Sequence, residues 1–396
     1  MSESQTARPG GSFRSLPWNV KLLGLASLLN DIASEMVFPL LPDFITRVLR
    51  GNALDIGIIE GAADTTASLL KLWTGGLSDR LGSRRWFVIS GYVLAALTRP
   101  LMGLARNPWD LLAVRMADRT GKGIRTAPRD ALIADSTPAE QRGRAFGFHR
   151  AMDHVGAAVG PLLAAAFLWF VPSGYRLLFF LTAIPGLAVA FLLAWGLRDQ
   201  ERPRPAADRP KFHLSLAPFD WRFRLYLVSL ALFTLGNSSD AFLLLRSQQL
   251  GVPTYALPIL WSLFHVLKST GNLIAGPVVD RVGTRPLIVA GWGVYAGIYV
   301  LFGLATEAWQ AWLLFLGYSL FYALTEPAEK TLVANLVSGE HKGLAYGWFN
   351  FAIGITSLPS SVIFGALYSQ FGPLTAFAWG AGLAFIASAL LAFVRR

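Results

Sequence analysis

The sequence predicts an all-α integral membrane protein, with twelve transmembrane helices in two six-helix pseudo-repeats. Three observations predict it. The 396-residue chain is 54% apolar and only 15% charged, too little polar surface for a soluble protein of that size. Lys and Arg gather in every second connection, as the positive-inside rule requires of a chain that crosses a membrane repeatedly. A cluster of residues in the first half also returns about 200 positions later.

A membrane-crossing helix takes roughly 20 apolar residues. The pattern places spans at 19–45, 55–77, 86–105, 109–134, 145–170, 176–197, 222–248, 255–278, 287–305, 309–335, 344–370 and 373–394. One set of connections collects Arg8, Arg14 and Lys21, then Arg80, Arg84 and Arg85, then Arg142 and Arg144. It continues through 198–224, Arg281 and Arg285, Lys342, and Arg395 and Arg396. The other set holds Arg47, Arg50, Arg106 and Arg176. The richer set, and with it both termini, is expected on the cytoplasmic side of a bacterial-type inner membrane.

Residues 1–18 are polar, lack the apolar core of a signal peptide, and are expected to form a cytoplasmic tail. Bundles over 19–197 and 222–396 are expected to be joined by 198–221. That stretch is rich in charge and proline without apolar periodicity, and reads as a cytoplasmic linker.

Composition also excludes classes. The net charge of +11 lies in alternate loops rather than in a basic stripe with interleaved aromatics, which argues against nucleic acid. There is no cysteine, hence no disulfide, thiol catalyst or cysteine metal site. No phosphate-binding loop and no HExxH pair is present, so neither nucleotide hydrolysis nor metal hydrolysis has a motif. No enzyme and no cofactor is expected. The expected partners are a small-molecule substrate, protons and the lipid bilayer, with the chain working as a monomer.

The repeat is specific. GGLSDRLGSRR at 75–85 aligns with GPVVDRVGTRP at 276–286, an offset of 201. Gly75, Asp79, Arg80, Gly82 and Arg84 meet Gly276, Asp280, Arg281, Gly283 and Arg285. RGRAFG at 142–147 matches KGLAYG at 342–347, an offset of 200. Both pairs fall on one side, so the halves share an orientation. Parallel six-helix repeats are a transporter architecture with the substrate site between them near mid-membrane.

The loop Gly75–Arg85 resembles the signature loop of the major facilitator superfamily, with Ser83 where that family usually has a basic residue. Gly147, Gly156, Gly160 and Pro161 in the fifth span resemble the antiporter motif of the drug:proton exporters, with Ala164 and Ala165 where two glycines are usual. Arg115 resembles a further family position, with Arg119 where a glycine follows. The resemblance implies secondary transport by alternating access. It also implies a gate latch in which Asp79 caps the start of the eleventh span near Gly343, and Asp280 caps the fifth.

Charges inside a membrane are expensive and usually functional. The fourth span holds Arg115, Asp118, Arg119, Lys122, Arg125, Arg129 and Asp130 within an arc of roughly 140°. In the plainer reading, acids on neighbouring spans pair with these cations and hold the bundle together. In the sharper one, some residues bind substrate and some carry protons. Candidates for proton coupling are Asp31, Glu35, Asp64, Asp153, Asp240 and Glu326. Candidates for the substrate cavity are Asn30, Arg119, Lys122, His154, Asn237, Trp261, His265, Lys268, Tyr318 and Tyr322. Gating candidates are the loop residues Gly75, Asp79, Arg80, Gly82, Arg84, Asp280, Arg281 and Gly283, the glycine motif Gly156, Gly160 and Pro161, and Arg115, Arg125, Arg129 and Asp130. The expected function is proton-coupled efflux of a small organic solute, anionic or zwitterionic. The alternatives are proton-coupled uptake of an organic anion or siderophore, and a transporter-like sensor.

Overall fold

The computed structural model describes residues 16–81, 83–138, 141–198, 215–337 and 342–393, and holds no strand among them. Twelve helical spans run back and forth: α1 (Trp18–Val48), α2 (Ala53–Leu81), α3 (Arg85–Leu104), α4 (Pro108–Asp135), α5 (Arg142–Phe170), α6 (Tyr175–Gly196), α7 (Trp221–Gln249), α8 (Leu257–Val282), α9 (Thr284–Leu304), α10 (Ala308–Leu336), α11 (Lys342–Phe371) and α12 (Pro373–Ala392). The expected ends agree within about one helical turn. Eight of the helices are long and apolar enough to cross a membrane on length and composition; α2, α4, α8 and α10 carry too many polar groups for that measure.

Four of the described spans are not the unbroken helices the apolar pattern predicts: α3 ends as a 3-10 helix at Arg99–Leu104, α6 is interrupted at Thr182, and α1 and α7 are broken within the bundle. α1 is α-helical only to Glu35, then tightens into a 3-10 turn at Phe38–Leu40 and widens into a π turn at Phe44–Val48. Pro39 and Pro42 have no N–H to donate, so the regular ladder cannot continue there. α7 stops at Gly236 and resumes at Ala241. The breaks in α1 and α7 occupy corresponding points of the repeat.

Exposed tryptophans mark both ends of the bundle. Trp18, Trp86, Trp195 and Trp221 stand at the end that carries the helix starts of both halves; Trp109, Trp169 and Trp309 stand at the other. Amphipathic rings favour the membrane–water interface.

Helix pairing repeats. α1 packs on α5 and α6, α4 on α2 and α3, and α3 on α6. In the same way α7 packs on α11 and α12, α10 on α8 and α9, and α9 on α12. The halves meet through α2 with α11 and through α5 with α8, which are equivalent contacts. The α2–α11 approach depends on glycine. A Cβ on Gly57 would lie 2.1 Å from the Ser361 carbonyl oxygen, and one on Gly365 would lie 2.5 Å from that of Ala53.

One end is closed by a buried carboxylate. Asp43, fully buried, accepts hydrogen bonds from Tyr175 in its own half and from Gln248 and Thr254 in the other, and pairs with Arg47 at 2.8 Å. Nearby the Ser369 hydroxyl accepts from the Leu54 amide at 3.1 Å. The larger apolar core is continuous across both halves at this end. A second core, from Leu16 to Leu197, belongs to the first six helices alone.

Corresponding positions of the two halves use different chemistry. In the first, Arg115 is bound by Glu60 at 2.6 Å and Arg99 by Asp118 at 2.9 Å, all four side chains almost fully buried. At the equivalent positions of the second half, Phe315 meets Trp261 with ring centroids 6.0 Å apart, and Tyr299 meets Tyr318 at 6.3 Å.

Two outcomes follow from this packing. Glu60→Ala strands a buried guanidinium and should lower unfolding free energy in detergent by about 3–5 kcal/mol, whereas Glu60→Leu with Arg115→Met should recover most of it. Asp43→Ala leaves the buried Tyr175 hydroxyl and the half-buried Gln248 and Thr254 donors unmade and should cost roughly 2–4 kcal/mol. Spin labels at Arg50 and Gln249 should then report a wider separation across the closed end.

Candidate functional site

α4 brings the charges together because glycines let its neighbours close on it. A Cβ on Gly121 would fall 2.6 Å from the Gly91 carbonyl oxygen of α3, and one on Gly123 would fall 2.5 Å from Leu70 Cβ of α2. Lys122, between them, is left facing the centre. There a cavity of about 300 Å³ lies between the halves. α1, α2 and α4 line it with Glu35, Asp64, Arg119 and Lys122. The break in α7 adds Asn237 to Asp240, α8 adds Trp261, His265 and Lys268, and α10 adds Tyr322. A side pocket of about 80 Å³ continues between α1, α3 and α4, sharing Glu35, Arg119 and Lys122. Asn30, Asp31, Ser34, Arg99, Asp118 and Arg125 complete it.

Hydrogen bonds orient the acids. Trp261 Nε1 donates to Glu35 at 2.8 Å, a contact across the two halves. Asp240 accepts from the hydroxyls of Tyr318 and Tyr322, each at 3.0 Å. Asp31 accepts from Asn30 Nδ2 at 2.9 Å. Lys268 Nζ lies 2.9 Å from Glu326 and 3.6 Å above the Tyr322 ring, which combines an ion pair with a cation–π contact. Asn272 Nδ2 also donates to Glu326. Asp64 has no hydrogen-bond or ion-pair partner among the described residues and faces the cavity.

Most of the expected cavity residues therefore converge. Tyr318 lies behind the wall, fully buried, and reaches the site through Asp240. Glu326 reaches it through Lys268. His154 and Asp153 line neither cavity. Asp153 accepts from Ser27 Oγ at 2.5 Å and lies 3.6 Å from Arg150 and 3.5 Å from His149 on its own helix. His265 lines the cavity edge-on to Trp261, with Nε2 unpartnered among the described residues.

The gating candidates scatter. Arg115 is locked to Glu60, and Arg125 faces the side pocket. Arg129 pairs with Asp130 at 2.9 Å, and Arg84 with Asp135 at 2.7 Å. Gly156 and Gly160, the latter followed by Pro161, form the α1–α5 contact. A Cβ on either would fall 2.6 Å and 2.5 Å from the carbonyl oxygens of Leu28 and Ile32. Gly283 ends α8 with φ +90°, a conformation glycine adopts without strain, and Arg281 beside it is exposed. Gly82 and the side-chain surroundings of Gly75, Asp79, Arg80 and Asp280 lie outside the described residues, so the latch expectation is not addressed.

Sequence reasoning missed Asp43, which read as the tail of the first span, and the Ser357 and Ser361 wall of α11. Their only signal was spacing: two serines four apart on one helix face. Among the described residues no cluster of His, Asp or Glu could hold a metal ion.

Comparison with known proteins agrees with this geometry. The family model described as Major Facilitator Superfamily matches residues 23–267 and 241–396. An uncharacterized MFS-type transporter of Methanocaldococcus jannaschii is 32% identical over 400 residues, covering 100% of this chain and 99% of the relative. The class C tetracycline resistance protein of Escherichia coli is 26% identical over 390 residues, covering 95% and 94%. A solved bacterial homologue of the human lysosomal transporter Spinster, in an inward-facing and unoccupied conformation, superposes with a TM-score of 0.71 at 19% identity, covering 97% and 96%. With the family match spanning both halves, the chain belongs to the Major Facilitator Superfamily and is an integral membrane transporter of small molecules.

Proposed function

We propose that the protein exports a small organic solute with an anionic or zwitterionic group, in exchange for protons, by alternating access. The observation that carries this reading is the central cavity, where carboxylates from α1, α2 and α7 face cations from α4 and α8 across the interface of the halves. A site so mixed in charge suits a ligand carrying both signs or a single negative group. Acids inside a membrane that form no ion pair are the usual carriers of coupled protons. Asp64, Glu35 and Asp31 are the residues assigned that role, with Asp240 as the acid of the second half.

In this reading the Asp43 end faces outward and is shut, the termini are cytoplasmic, and the cavity fills from inside an inner membrane. The linker 198–221 then tethers two bundles, 19–197 and 222–396, on the cytoplasmic side, in a protein that works as a monomer. The family likeness to a tetracycline resistance protein lends the direction further support.

A transport assay separates the coupling ion from the solute. Purified protein in liposomes with an imposed pH gradient should move an accepted solute against the proton flow. Asp64→Asn should abolish that gradient-driven flux while leaving solute affinity within about threefold, since a neutral amide keeps the shape but not the proton. Flux in the same direction as protons would establish uptake instead. Unchanged gradient-driven flux in Asp64→Asn, Glu35→Gln and Asp31→Asn alike would remove the coupling assignment. Lys268→Ala, which also frees Glu326, should weaken solute binding by about tenfold in a titration.

A further inference from the structure

The side pocket holds donors that nothing among the described residues satisfies. Arg125 is only 5% exposed, and its Nε and Nη1 have no hydrogen-bond partner among the described residues. Its guanidinium carbon lies over the Tyr92 ring, 4.4 Å from the centroid. The Nε of Arg119 is also buried and unpartnered. Lys122 is the third cation on the pocket wall.

None of these three cations makes an ion pair among the described residues. The other charges lining the side pocket have partners of their own. Arg99 and Asp118 neutralise one another at 2.9 Å. Asp31 is held by Asn30, and Glu35 by Trp261. Neither Asp31 nor Glu35 forms an ion pair with these three cations, and Asp64 stands with Arg119 and Lys122 on the adjoining cavity wall. Buried cationic donors without acceptors are unfavourable, so the arrangement is complete only when acceptor oxygens arrive.

We propose that the side pocket is a carboxylate subsite, in which one terminal carboxylate of the transported solute sits between Arg125, Arg119 and Lys122. This rests on the reading of the central cavity as the transport route. The pocket is too small for a drug-sized body but has room for a carboxylate head. It joins the larger cavity at Glu35, Arg119 and Lys122, so the rest of the solute lies between Trp261 and Tyr322. A cationic group on that part would face Asp240. The pocket, of about 80 Å³, favours the smaller carboxylate over a phosphate.

The test uses acetate as the probe. Full-length protein in detergent is titrated with sodium acetate, sodium phosphate or sodium chloride at matched ionic strength, and melting is followed. Acetate should raise the melting temperature saturably, as a ligand of the folded state does, and phosphate should do so less. Arg125→Gln and, separately, Lys122→Gln should each weaken the acetate effect by about tenfold or more while still melting cooperatively. An acetate effect no larger than that of chloride, or one unchanged in both variants, overturns the subsite. Stronger stabilisation by phosphate overturns the carboxylate assignment. Saturable acetate binding in a protein whose proton-driven flux ignores Asp64→Asn keeps the subsite and removes the coupling reading; the converse pair of results removes the subsite alone.

Discussion

A helix with five cations on one face must sit inside a membrane, and the first half of the protein is organised around that constraint. The Arg115–Glu60 bridge meets it. Glu60 on α2 stands at the height of the first α4 arginine and, with Asp118 at 3.7 Å on α4 itself, neutralises a guanidinium cut off from water. Arg99 and Asp118 repeat the device one turn further along, and tie α3 to the same helix. Glycines at 91, 121 and 123 then let the three backbones close on these bridges. Cations beyond the reach of an acid partner are displaced toward the interface of the halves, where the cavity forms.

The second half shows what the same backbone does without the charges. Positions that hold ion pairs in the first half hold rings in the second. Tyr295, Tyr299, Tyr318 and Phe321 interlock with Phe233 and Trp292 in a continuous aromatic block. Rings satisfy one another by contact area and need no matched partner charge. The duplication has therefore diverged into a polar half and an aromatic half. The polar half supplies most of the cavity's charge. The aromatic half supplies a stiff wall from which Asp240 and Lys268 project.

The cavity itself depends on two interruptions. Non-helical backbone is tolerated within a membrane only where it lines a cavity or is buried in protein. The break in α7 exposes Asn237 to Asp240 to the central space, and the matching break in α1 turns the chain toward the buried Asp43. Phe38, just beyond the α1 break, packs on Trp261 at 4.9 Å and so carries the closure of that end down to the cavity roof.

The sequence by itself determined the twelve spans, the doubling and the helices that would hold polar faces, because apolar length and charge spacing are local properties of a chain. It also marked most cavity residues, since a charge within a membrane stands out wherever it is. It could not rank them. Glu60 and Asp64 lie one turn apart on one face of α2, yet Glu60 is sealed against Arg115 while Asp64 faces open space. Only the tertiary structure decided that, because pairing depends on which neighbouring helix stands at that height. The same is true of Asp43, whose hydrogen-bond partners Tyr175, Gln248 and Thr254 lie more than a hundred residues away, and of Arg125, which unlike Arg115 forms no ion pair among the described residues.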